Sequence, residues 1–245
     1  MRVTTISSPI NLDNYVLRAR VVPATLAGAP LVFFLAFIAG SPLIGALVPT
    51  AGVLGIFVVA AEWVRMRGRN TEVRLKTLWD GFPTTRALRF RDLEFAADRD
   101  ERRKAIESLT GARLPKLADE RKSPDRTDQI YARAIGTAAA LIRGEAQYAD
   151  LLQAENISYG LRRNVRALKP LGLTLAVVAF PLSIVVSILT SAWVPALVVC
   201  IGLAILIAFW TIVVRDDWVR HQANDYSDRL FTSAIASVAS TKRKK

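Results

Sequence analysis

Histidine and cysteine occur once each in this 245-residue chain, as His221 and Cys200. With one thiol no disulfide can close within a chain and no cysteine metal cluster can form. One imidazole beside a single thiol leaves no side-chain set for zinc or haem in one copy. Also absent are a Walker loop, a dinucleotide fingerprint, a metalloprotease helix and a nucleophile elbow. The polar middle of the chain holds no alternating, β-branched run, so little or no sheet is expected. Neither a cofactor nor a metal is implied, and the expected protein is not an enzyme.

Charge is missing in a patterned way. Four apolar stretches, Val21 to Gly40, Leu43 to Ala61, Leu171 to Thr190 and Trp193 to Val214, contain no Asp, Glu, Lys, Arg or His. Each reaches the roughly 20 residues a helix needs to cross about 30 Å of hydrocarbon. The sequence therefore predicts an all-α membrane protein, with four transmembrane helices paired as two hairpins and a cytoplasmic helical domain between them. Proton relays and ion-coupled pumps depend on ionisable groups inside the bilayer, so uncharged spans disfavour both. A secretory signal peptide is the competing reading of the first stretch. That run is too long for a signal core, Asp13 interrupts its leader, and a second spanning stretch follows almost at once.

The hairpin turns, Gly40-Ser41-Pro42 and Thr190-Ser191-Ala192, carry no charge, whereas Arg2, Arg18, Arg20, the whole central segment and the final Lys242-Arg243-Lys244-Lys245 are basic. By the positive-inside rule both termini and the centre face the cytoplasm of a bacterial inner membrane. Trp63 and Trp193 at helix ends, with Trp210 and Trp218 around the fourth exit, suit the interface. The formal net charge of +12 then reads as attraction to anionic lipid headgroups, each juxtamembrane Lys or Arg contributing roughly 1 kcal/mol. Nucleic acid is the minor reading. Glycines and prolines within the spans (Pro23, Pro30, Pro49, Pro181 and Pro195 among them) permit kinks and close helix contacts, and leave open a neutral pore built from several copies. The sequon Asn156-Ile157-Ser158 would be inert on the cytoplasmic side.

In order, the chain divides into a cytoplasmic leader (1–20), hairpin 1 (21–62), a cytoplasmic helical domain (63–169), hairpin 2 (170–214) and a basic C-terminal helix and tail (215–245), the last residues of which are expected to be disordered. Val64, Leu75 and Leu78 carry the second helix onward to Trp79, which at 1.5 Å per residue is roughly 20 to 25 Å past the bilayer edge. Asp80-Gly81-Phe82-Pro83 is a turn. Arg91 to Leu109 reads as a charged helix with Leu93, Ala96, Ala97, Ile106 and Leu109 on its apolar face, stopped at Gly111. Its alternating charges, among them Asp98, Arg102 and Glu107, read as a solvated face. Pro115 to Lys122 reads as a connector. Ser123-Pro124-Asp125 starts a helix, whose stripe of Ile130, Ala134, Thr137, Ala138, Leu141 and Ile142 continues to Pro170. Glu62-Trp63-Val64-Arg65 and Asp217-Trp218-Val219-Arg220 match, as they would in a parallel duplication or where two membrane exits choose the same residues.

The least ordinary polar stretch is Trp79 to Asp92. Gly81, Thr84, Thr85, Arg86, Arg89 and Arg91 place a tight turn, two hydroxyls and three guanidinium groups together, a set suited to phosphate or carboxylate. The alternative is structural: a Thr caps the next helix, Trp79 and Phe82 fill the core, and the arginines pair with Asp92 or Glu94. An anion site requires Arg86 and Arg89 to reach outward.

The layout of paired hairpins around a cytoplasmic segment resembles that of the four-helix membrane effectors of bacterial antiphage systems, a likeness of layout carried by no motif. It implies a self-associating protein whose cytoplasmic domain receives a protein partner or an anionic small-molecule signal, and whose spans form a pore or disturb the bilayer. The alternative is a scaffold or anchor subunit for a soluble partner, without conductance. A lipid-acting membrane enzyme is third.

Overall fold

The computed structural model describes residues 16–39 and 50–243, with the side chains of 16–38 and 61–241. The turn at Gly40-Ser41-Pro42, the last two lysines and most of the expected second span, Leu43 to Ala61, lie outside the residues or side chains described. Every regular element among the described residues is helical. A π turn, Leu17–Val21, leads into α1 (Val22–Ala39). Then come α2 (Thr50–Leu78), α3 (Pro83–Arg86), a 3-10 turn (Leu93–Phe95), α4 (Arg99–Thr110), α5 (Leu117–Lys122) and α6 (Pro124–Arg143). The 45-residue α7 (Ala146–Thr190), α8 (Trp193–Ala208) with a π turn (Phe209–Val213), and α9 (Asp216–Arg243) complete the chain. Among the described residues, three helical stretches are long and apolar enough to cross a membrane: Leu17–Ile38, Ala146–Thr190 and Trp193–Val213. Two compact units form, Met1–Glu72 with Gly160–Trp218 and Val73–Tyr159 with Val219–Lys245, so α2, α7 and α9 each contribute to both.

The first unit packs by size matching. Ala27, Val64, Val165, Leu168, Trp210 and Val214 are buried together. Trp210, expected at the interface, is fully buried, because Gly172 opens a slot for it: a methyl group on Gly172 would stand 2.4 Å from the indole ring. A second close approach joins three helical segments. Buried Asn164 donates to the Ala19 carbonyl at 2.6 Å, and its amide oxygen would lie 1.9 Å from a methyl group on Gly68.

The helical stripe expected to continue from Ser123 to Pro170 is broken between Arg143 and Ala146, and α7 then runs on through both Pro170 and Pro181. An internal proline costs a helix one hydrogen bond and a kink, about 3 kcal/mol. Burial of Val165 and Leu168 before it and Ala176 and Ala179 after it outweighs that cost. Upstream of Pro170, one face of α7 meets the break between the second π turn and α9. Arg162 donates to the Trp218 carbonyl (3.1 Å), Arg166 to the Asp216 carboxylate (2.8 Å) and Lys169 to the Val214 carbonyl (2.8 Å). Cations at intervals of four and three share a face, and of the three Lys169 satisfies a carbonyl that the broken helix releases, that of Val214.

The second unit is a helical bundle. Tyr131, Ala134, Ile135, Ala138, Ala139 and Ile142 of α6 pack with Leu88, Ile106, Leu152, Leu230 and Phe231. The buried stripe of α6 is thus rotated from the expected one: Thr137 and Leu141 are exposed, and Tyr131 and Ile135 take the interior. The C-terminal helix, expected as a separate tail, supplies Leu230, Phe231 and Ala234 to this core. α4 begins eight residues later than expected, at Arg99, and ends at Gly111, which takes φ +71°. Leu93 is 81% exposed rather than on an apolar face. The expected connector contains α5, whose Asp119 carboxylate accepts from the Lys116 N–H at 2.9 Å.

Glycine substitutions distinguish contact from propensity. Gly172→Ala and Gly68→Ala are each expected to lower stability by about 1–3 kcal/mol through overpacking. Gly136→Ala, with nothing within 4 Å of the added methyl, is expected to raise it by up to about 1 kcal/mol by helix propensity. Thermal unfolding of the detergent-solubilised full-length protein reads all three.

Candidate functional site

The segment between α3 and α4 is held by a buried carboxylate. Glu120 of α5 is 2% exposed and accepts the backbone N–H groups of Phe90 and Arg91, both at 3.0 Å, with the Tyr131 hydroxyl at 2.9 Å and the Arg91 guanidinium at 3.3 Å. These two N–H groups are thereby withdrawn from any continuation of α3 beyond Arg86. Arg103, on the buried face of α4, donates to the carbonyls of Leu88 (2.7 Å) and Pro115 (2.5 Å) and to Tyr131 (3.1 Å), and lies 4.3 Å above the Phe90 ring. One carboxylate and one guanidinium thereby fix two connecting segments, α3 to α4 and α4 to α5.

The arginines of the predicted site turn inward. Arg89 is buried: its Nε and Nη2 grip both oxygens of Asp128 (2.8 and 2.5 Å), and Nη1 reaches the Asp80 carbonyl (2.5 Å) and carboxylate (3.1 Å). Arg86 forms a two-pronged pair with Asp92 at 2.6 and 2.8 Å and reaches Glu94 at 2.9 Å. Arg91 bridges Glu120 and Asp128. The outward reach of Arg86 and Arg89 that an anion site requires is therefore corrected. Desolvated guanidinium groups take the nearest carboxylates, and the nearest are internal. Asp92 and Glu94 were expected as partners; Asp80, Asp128 and Glu120 were not. Their signal is faint but present: Asp128 lies three residues before Tyr131 and seven before Ile135, on the face that α6 buries.

Gly81 is required twice at the turn. It holds φ +110°, and a methyl group there would lie 2.6 Å from Arg89 Nη2. Asp80 before it also has positive φ, 54°, a conformation that Asp and Asn adopt more readily than most residues. The Thr85 N–H donates to the Phe82 carbonyl at 2.9 Å, and neither threonine side chain caps α3, whose first position is Pro83.

Beside this turn, within the second unit, is a cleft of about 610 Å³. Its walls are the end of α2 and the first turns of α6. Val73, Phe82 and Ala132 supply carbon; Asp80, Asp125, Asp128 and Lys76 supply charge. Of the residues singled out in the sequence, Gly81, Thr85 and Arg89 line it, whereas Thr84, Arg86 and Arg91 do not. Among the described residues no group of three or more His, Cys, Asp or Glu is placed to hold a metal ion.

Burial pushes the Glu120 carboxyl up, but the two backbone N–H groups, the Tyr131 hydroxyl and Arg91 together hold it below its ordinary value of 4.5. A carboxylate depressed in the folded state stabilises fully above its unfolded value and ceases to do so as pH falls through its folded one. Tyr131 is pushed up to about 12, chiefly by burial, with Glu120 adding to the rise and Arg103 opposing it. Its contribution is complete below pH 10 and is lost as pH rises toward 12.

Glu120→Gln is expected to cost on the order of 3 kcal/mol, as for removal of one partner from a buried charged set, and to flatten the acid limb of the stability curve below pH 4.5. Arg89→Ala is expected to destabilise by a similar amount and by more than Arg86→Ala, because the Arg86 side chain is the less buried of the two, 14% against 3% exposed. Arg89→Lys is not expected to rescue it, because an ammonium cannot replace the planar fork. Melting temperatures across pH measure all four. Comparison of this chain with protein-family models, curated proteins and solved structures finds no match.

Proposed function

We propose that the chain is a non-enzymatic, self-associating protein of the bacterial inner membrane. The second unit, on the cytoplasmic side with both termini, receives a protein partner or signal, and the spans form a pore or disturb the bilayer. The observation that carries this reading is uncovered apolar surface. Only 17%, 28% and 17% of the apolar windows of the three candidate spans is buried, and Leu189, Val194, Val198 and Ile205 are each more than 60% exposed. Apolar surface on this scale is covered by lipid or by further copies of the same helices. Anionic headgroups are the companion partner, because Arg18 and Arg215 are exposed near the ends of two of these helices.

The same cleft and spans also support a scaffold that holds a soluble partner without conductance. A lipid-acting enzyme is less well supported, since Asp92, Glu120 and Asp128 of the second unit are engaged by arginines of the same unit. Two measurements separate the readings. Crosslinking and detergent-corrected mass are expected to show an oligomer, and induced expression is expected to depolarise cells, read with a membrane-potential dye. Monomers alone would end the pore reading. An oligomer without depolarisation would select the scaffold.

A further inference from the structure

We propose that the cleft beside the Gly81 turn is a docking site for a basic segment of a partner protein, one that carries a Lys or Arg next to an aliphatic side chain. This names the partner chemistry of the receiving unit and so rests on the proposed function. The argument begins with sign. In a chain of net charge +12, the lining of this cleft holds three carboxylates, Asp80, Asp125 and Asp128, the last of them already held by Arg89 and Arg91. The Asp80 side chain is 83% exposed, and Asp125 is exposed at the start of α6. The cations of the lining do not cancel them equally. Arg89 is buried and directs all three of its nitrogens at Asp80 and Asp128, so it braces the carboxylates rather than presenting charge. Lys76 is exposed at the rim.

Shape completes the description. Val73, 67% exposed, and exposed Ala132 give the cleft an aliphatic wall, and Phe82 is half-buried at its base. The volume of about 610 Å³ lies within the range of roughly 300–1,000 Å³ typical of recognition sites. A hydrated polyamine would use the carboxylates and leave Val73 wet. A peptide that lays an aliphatic side chain on Val73 and Ala132 while its cation reaches Asp80 and Asp125 uses both. The floor is rigid, since Gly81 and Arg89 are in contact, so little ordering is required on binding.

The test uses full-length protein in a neutral detergent and a short fluorescent peptide of alternating Lys and Leu, with binding to empty micelles subtracted. Saturable binding is expected, weakened on the order of tenfold or more by Asp80→Asn with Asp125→Asn. Asparagine keeps the positive φ at position 80, so the turn survives this change. Lys76→Glu is expected to strengthen binding severalfold, a gain that misfolding cannot produce. Equal binding of a Glu and Leu peptide, indifference to the Asp variants, or full competition by spermidine at equal concentration would each overturn the proposal. The oligomer and depolarisation measurements do not involve this peptide, so failure here leaves the proposed function standing, and failure there leaves this site to be judged alone.

Discussion

The second unit depends on one carboxylate that cannot be hydrated. Glu120 sits out of water, where an unpaired charge would be untenable, and is kept ionised by backbone N–H groups, a phenol and a guanidinium. Those contacts dictate where the chain between α3 and α4 runs. The N–H groups of Phe90 and Arg91 are committed to Glu120, so α3 is not continued through them, and Leu93 beyond is left in solvent. Tyr131 and Arg103 extend the same constraint to α6 and to the connector before α5. A network of this kind adds little net stability over apolar packing, but a partial version of it is costly. It therefore selects one arrangement of connections among many of similar apolar burial.

In the first unit the governing constraint is steric. Its helices are joined through close fit, and Gly172 beside Trp210 and Gly68 beside Asn164 supply it. The backbone polar groups freed near the ends of these helices are answered by side chains: the Ala19 carbonyl by Asn164, the Val214 carbonyl by Lys169. The two units thus solve opposite problems, one by excluding volume and the other by satisfying charge.

What could be read from the sequence follows from this contrast. Three of the four apolar stretches, the turn at Asp80-Gly81, the Gly111 stop and the start of α6 were legible because each rests on local periodicity or on the conformational preference of a single residue. The phase of α6 was not, because Tyr131 is apolar enough to be buried only once Glu120 and Arg103 meet its hydroxyl, and those partners are remote in sequence. Trp210 was misplaced for the same reason: an indole at a membrane exit looks interfacial until a glycine on another helix makes room. The arginine cluster was visible as a cluster, while its direction depended on Asp128 and Glu120, which are 39 and 29 residues from the groups they bind.

The Asp80-Gly81 turn has a chemical consequence as well as a conformational one. A glycine following an aspartate leaves the peptide nitrogen unshielded, and that nitrogen can attack the side-chain carboxyl, expel water and close a succinimide ring that reopens largely as isoaspartate. Such an event would lengthen the main chain by one atom at the lip of the cleft. Here the Gly81 N–H is committed to the Lys76 carbonyl at 2.8 Å, and the Asp80 carboxylate is drawn to Arg89 at 3.1 Å. Both reacting groups are restrained by the contacts that shape the turn, so the durability of this site against covalent ageing is coupled to its folded state and is lost wherever the turn opens.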